Sequence, residues 1–162
     1  MNRFNTNLAF SHVLKGKVSM KTYIAAYVLT LVAFLVIDFI WLSTMASRLY
    51  RPAIGELLAD NFRAAPAIIF YLIYAAGLTF LAVRPALLSG EWTSALLYGA
   101  VVGFMAYATY DLTNQATLKT WPTTLTIADL VWGTFVSAAA ATIGYLVTVR
   151  LLGPLENSAG VS

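Results

Sequence analysis

Hydrophobic positions in this chain come in long runs that polar residues interrupt at only a few places. Lys21 and Arg48 enclose 26 residues whose one acid is Asp38. Pro66 to Val83, Trp92 to Tyr110 and Leu130 to Val149 contain no charge at all. A helix needs about 20 apolar residues to cross the hydrocarbon core of a bilayer, and all four runs meet that length. The pattern predicts an all-α membrane protein, a four-helix transmembrane bundle. Its spans are expected at about 22–46, 66–84, 92–112 and 124–150.

Local signals set the boundaries. Pro66 suits the first turn of the second helix, and Arg84-Pro85 is expected to end it. Glu91-Trp92 opens the third helix, and the fourth begins in TWPTTLTIAD, near Pro122 or Thr126. The first connection, SRLYRPAIGELLADNFRAAP, spaces Ile54, Leu57 and Leu58 helically among charges. That predicts a short interfacial helix lying on the membrane surface.

Composition agrees with the pattern. Of 162 residues, 60% are hydrophobic and 10% charged, where soluble domains average about 25% charged. Without cysteine there are no disulfides, thiol nucleophiles or thiolate metal sites. The net charge of +3 sits mostly on the flanks and reads as membrane topology, not nucleic-acid binding. The lipid bilayer is the expected partner. With the N-terminus inside, the inner segments carry Arg3, Lys15, Lys17, Lys21, Arg84 and Arg150, against Arg48, Arg51, Arg63 and Lys119 outside. Both termini are therefore expected in the cytoplasm.

Residues 1–19 read as a polar tail, 20–152 as a single transmembrane domain and 153–162 as a second tail. The basic N-terminus resembles a signal peptide. A signal peptide's apolar core spans only about 7–15 residues, however, so an uncleaved first helix is expected, and Met20 is an alternative start. His12, the one histidine, lies in the tail with no expected role.

Small residues recur every fourth position. Gly99 and Gly103 do so in the third helix, and Gly133, Ser137 and Ala141 in the fourth, followed by Gly144 and Thr148. Such rows let backbones approach closely where lipid supplies no hydrophobic drive. They would serve packing within the bundle, or a homodimer.

The candidate chemistry lies in a repeated motif. DFIWLS at 38–43 and DLVWGT at 129–134 each place an aspartate three residues before a tryptophan. Asp38 precedes Arg48 by ten residues, about 15 Å of helix, and Asp129 follows Pro122 by seven, about 10 Å. The third helix delivers Asp111, in YDLTN, to the same side of the membrane. An ionised aspartate inside a span costs about 2.5–3.5 kcal/mol on insertion scales, so such residues normally face the bundle interior. Burial and neighbouring carboxylates both disfavour the charged form, so at least one of the three is expected to hold a proton. Asp38, Trp41, Asp129 and Trp132 are read as opposing walls of one outward-facing pocket, with Tyr110, Asp111 and Asn114 as its lid or floor.

The same residues also admit plainer readings. Asp129 follows Thr126 at capping-box spacing, Asp111 could simply end the third helix, and the tryptophans could form an interfacial belt. Asp38 could be a structural hydrogen bond between helices.

KTYIAAYVLTLVAFLVIDFIWLS, FYLIYAAGLTFLAVRPAL, YATYDLTNQATLKTWP and DLVWGT resemble a family of small bacterial predicted membrane proteins, catalogued as a domain of unknown function. The likeness runs from Met20 to about Leu152 and is most specific over Tyr110–Pro122 and Asp129–Gly133. It implies a multi-spanning protein of the bacterial inner membrane, and it implies no activity, cofactor or catalytic residue.

Three function classes follow. One is binding or transport of a cation, proton or amphipathic small molecule, in which transport would need a homodimer. The second is an accessory membrane subunit. The third is an enzyme acting on a lipid or isoprenoid, with carboxylates holding Mg²⁺. The last lacks a paired acidic motif and has only Lys119 and Arg48 near enough to clamp a phosphate. Haem is disfavoured because no span contains histidine, and a retinal Schiff base because none contains lysine.

Overall fold

The computed structural model describes residues 18–154. The tail residues before and after that range, His12 among them, lie outside it. Among the described residues four helices are long and apolar enough to cross a membrane: α1 (Met20–Leu57), α2 (Ala64–Ser89), α3 (Trp92–Thr117) and α4 (Thr123–Leu152). No strand occurs among the described residues. The proximal end of the bundle carries Met20, Leu152 and the turn at Gly90, and the distal end carries the connections 58–63 and 118–122.

Each helix starts and stops for a local reason. Ser19 caps α1, its hydroxyl accepting the Thr22 N–H at 3.1 Å. α1 then runs past the expected end of its span, through a π-helical turn at Ala46–Tyr50 and on to Leu57. The short helical stretch expected in the first connection is present at Arg51–Ile54 and Gly55–Leu57, continuous with the end of α1. α2 does not stop at Arg84-Pro85. A π-helical turn at Thr79–Val83 precedes the proline, and the helix continues to Ser89. Proline lacks an N–H and crowds the carbonyl four residues back, and a widened turn accommodates both defects. Gly90, at φ 76°, ends α2 in the left-handed conformation that suits glycine. α3 continues beyond the expected 112 to Thr117, so YDLTN is helical.

α4 is the most buried of the four and packs along both α3 and α1. Small residues allow this. A Cβ on Gly99 would stand 2.9 Å from the Ser137 carbonyl oxygen. One on Gly103 would strike the Gly133 carbonyl and the Ser137 side chain, and one on Gly144 would strike Thr30. These rows are therefore filled within the bundle, and a dimer would have to use other faces. Phe34, Leu78, Val83, Val136 and Ala140 complete the interior, while Ile24, Val32, Phe39, Ile73, Val131 and Phe135 point outward as a lipid-facing surface requires.

α2 lies obliquely. Its Ala64–Leu78 part packs chiefly on α1, whereas Thr79–Ser89 packs on α3. At the proximal end the Arg84 guanidinium donates to the Tyr23 hydroxyl at 2.9 Å and covers the Phe80 ring. Toward the distal end α2 and α3 part.

Candidate functional site

The two Asp-x-x-Trp motifs are wired crosswise. The Asp38 carboxylate accepts the Trp132 indole N–H from α4 at 3.1 Å and the Tyr71 hydroxyl from α2 at 2.6 Å. The Trp41 and Trp132 rings stack face to face, centroids 4.2 Å apart and 8° from parallel. Trp41 donates its N–H to the Tyr50 hydroxyl at 3.1 Å, and Tyr50 donates to Asp129 at 2.6 Å. Each tryptophan thus serves the other helix's acid, Trp132 directly and Trp41 through Tyr50. The 2.6 Å bonds lie in the range of hydroxyl-to-carboxylate bonds, the stronger class. Asp38 and Asp129 are both buried, and a buried acid is tolerated when donors of this kind are aimed at it.

Tyr50 completes the wiring because of the π-helical turn. Nine residues at roughly 100° each would put it on the face opposite Trp41 in a regular helix. The turn spends additional residues per revolution and brings the ring round.

Asp111 joins through the register of α3 against α4. Gly99 lies on Ser137, Ala138 and Ala141, Gly103 on Gly133 and Ser137, and the Tyr107 ring over Gly133. Each step of four along α3 is thus a step of four back along α4, which places Asp111 opposite the turn containing Asp129. Asp129 lies within electrostatic range of both other acids. Asp111 is fully buried, and among the described residues neither of its carboxyl oxygens has a hydrogen-bond partner. It therefore does not cap or end α3, which continues six residues further in the same helix.

Between the distal parts of α2 and α3 lies a cleft of about 290 Å³ lined by Phe70, Tyr74, Ala106, Tyr107 and Tyr110. Tyr74 and Ser137 share a hydrogen bond at its back, 2.7 Å long. The Tyr74 and Tyr107 side chains are within electrostatic range of Asp38. Tyr110 is exposed at the cleft, its ring edge-on to Trp121 at 5.7 Å.

Other expectations are redirected. Asn114 closes α3, its carbonyl accepting the Leu118 N–H at 2.8 Å, and no hydrogen bond joins its side chain to an aspartate among the described residues. Asp129 is no capping residue. Pro122 occupies the cap of α4 without a side-chain bond, and Thr126 instead donates to Gln115 at 2.9 Å. The tryptophans of the two motifs are half-buried and stack on each other between α1 and α4. Among the described residues, no three acidic or histidine side chains come close enough to hold one metal ion. Tyr50, Tyr71, Tyr74, Tyr107 and Phe70 belong to the arrangement without having been singled out from the sequence. The one signal pointing to them is the concentration of tyrosine at α-helical spacing, as at Tyr71 and Tyr74.

No curated protein and no solved structure matches the chain. The profile of the predicted membrane protein family DUF2177 matches residues 23–146, spanning all four helices and every aspartate described above, and the chain belongs to that family.

Proposed function

We propose that the cleft between α2 and α3 binds an amphipathic small molecule carrying a positive charge. The observation that supports this best is an aromatic-walled space of about 290 Å³ with no basic side chain in its lining, two of whose tyrosines, Tyr74 and Tyr107, lie within electrostatic range of the buried acid Asp38. Aromatic faces attract a cation by about 0.5–2 kcal/mol each, more so when water is excluded. Asp38 adds a favourable field, and the opening toward lipid admits an apolar body. The Trp41–Trp132 stack is closed on itself, so the ligand's place is the cleft and not the space between the indoles.

Binding of tetraphenylphosphonium to the purified protein, measured by equilibrium dialysis, tests the reading. Ala106→Trp, which fills the cleft from its wall, should abolish saturable binding in a protein that still folds. Equal binding by the variant and wild type would remove the cleft from consideration.

In this reading the protein sits in the bacterial inner membrane with both termini cytoplasmic and the distal end outside. The chain has no cysteine, so single cysteines report orientation cleanly. Cysteines placed at Ala59 and Thr117 should react with an impermeant thiol reagent in intact cells, and one at Ser89 should not. Reversed labelling would invert the topology. Four helices are few for a complete pathway, so transport would require a homodimer, built on faces other than the small-residue rows.

A second reading is favoured by the hydrogen bonds of Asp38 and Asp129. They tie α1, α2 and α4 together, as an accessory subunit with no ligand of its own would need. Asp38→Asn separates the two. Asn can keep an interhelical bond but carries no charge, so a scaffold keeps its fold with a modest loss of stability while a cation site loses its ligand.

A further inference from the structure

The three acids are not equivalent. Asp38 and Asp129 each receive a tyrosine hydroxyl at 2.6 Å, whereas Asp111 is as deeply buried and receives nothing on either oxygen. The donors around it are committed elsewhere. The Trp121 indole, which faces Asp111, donates to the Thr126 hydroxyl at 3.1 Å. Thr126 donates to Gln115, and Gln115 donates to Thr123 at 2.8 Å. The Tyr50 hydroxyl, from α1, is spent on Asp129. The charged group acting on Asp111 is another acid, Asp129 from α4, and on its own helix its ionisable neighbour is Tyr110.

A bare carboxylate in such a place meets two penalties at once, loss of water with no replacing donor and repulsion from a second carboxylate. One proton removes both. It needs no space of its own, and it turns an unpartnered acceptor pair into a neutral acid beside a tyrosine-bonded neighbour.

We infer that Asp111, opposite Asp129 in the α3/α4 seam, is a proton-binding site, occupied in the closed bundle. Release is the dissociation of one carboxylic acid to a carboxylate, with the proton passing to water. The site is separate from the cleft and does not depend on what the cleft binds.

Infrared spectroscopy of the full-length protein in lipid nanodiscs tests it. Wild type at neutral pH should show the carbonyl band of a protonated carboxylic acid, distinct from the carboxylate and amide bands. Asp111→Asn should lack it, and Asp38→Asn should keep it. Absence of the band from wild type, or its survival in Asp111→Asn, would overturn the assignment.

A melting series against pH gives a second readout. The native state holds a proton that the unfolded chain gives up above about pH 4, so the native state binds more protons there and stability must fall as pH rises. Asp111→Asn removes this site's share of the fall, so its profile should be flatter than that of wild type. Parallel profiles would contradict the inference. Neither readout involves tetraphenylphosphonium, so failure here leaves the cleft reading standing, and failure there leaves this one.

Discussion

α3 meets its two neighbours in opposite ways. Against α4 it presents glycines, and the two backbones come so close that a Cβ at Gly103 has nowhere to go. Against the distal half of α2 it presents Ala106, Tyr107 and Tyr110, and the helices stand apart around an aromatic cleft. Lipid tails are as apolar as the side chains, so helices close on each other only where packing and hydrogen bonds favour it. The α3/α4 seam has the small residues that permit close packing. The α2/α3 gap holds large rings that prevent it. One seam is therefore expected to carry stability and the other to carry binding, and substitutions should sort accordingly.

Gly103→Ala should do the most damage, because the new methyl meets the Gly133 backbone carbonyl, which cannot rotate away. A loss of about 1–3 kcal/mol, read as a lowered melting temperature in detergent, is the expected cost of overpacking. Ordinary stability in this variant would mean that the seam is looser than described. Asp38→Asn comes next. It weakens two interhelical bonds and should cost less than about 2 kcal/mol, since such bonds are worth about 0.6–2 kcal/mol and Asn can keep one. Trp41→Phe keeps an aromatic ring for the stack but loses the N–H given to Tyr50, for a cost of about 1 kcal/mol by thermal denaturation. Gly77→Ala should do the least. Nothing lies within 4 Å of its new methyl, so up to about 1 kcal/mol of helix propensity is gained, and a clear loss there would show an unrecognised contact.

Much of the fold was legible in the sequence for reasons of solvent. A helix in lipid must satisfy its own backbone groups, so an uncharged run of sufficient length has few alternatives, and the four runs became four helices. The small-residue rows were equally readable, because only a close partner makes Gly99, Gly103 and Gly133 useful together. What escaped was anything that depended on a break in helical periodicity. Tyr50 reaches Asp129 across a π-helical turn, and Pro85 is absorbed by another. A strict count of residues per turn misplaces Tyr50, and the rule that proline ends a helix stops α2 at Arg84-Pro85.

The site was legible in part. Asp38, Trp41, Asp129 and Trp132 are brought together across α1 and α4, because antiparallel helices carrying one motif at matching depth must oppose their copies. The crosswise pairing was not legible, since it depends on which rotamers let two indoles stack. Asp111 shared the expected end of the bundle, but its lack of a hydrogen bond follows from the nearby Trp121, Thr126 and Gln115 having bonded one another. Asn114 has a backbone role that was not legible, because α3 runs on to Thr117 and uses its carbonyl near the helix end.

The central claim is that the distal half of the bundle is a cation-binding site supported by Asp38. Its most direct test compares wild type with Asp38→Asn in detergent, scanning melting temperature against added tetraphenylphosphonium, with Na⁺ and Mg²⁺ alongside. The account predicts a saturable rise in wild type with tetraphenylphosphonium, smaller responses to the inorganic ions, and a strongly reduced rise in a folded Asp38→Asn. Identical responses in the two proteins would contradict it and leave Asp38 as a tie between helices.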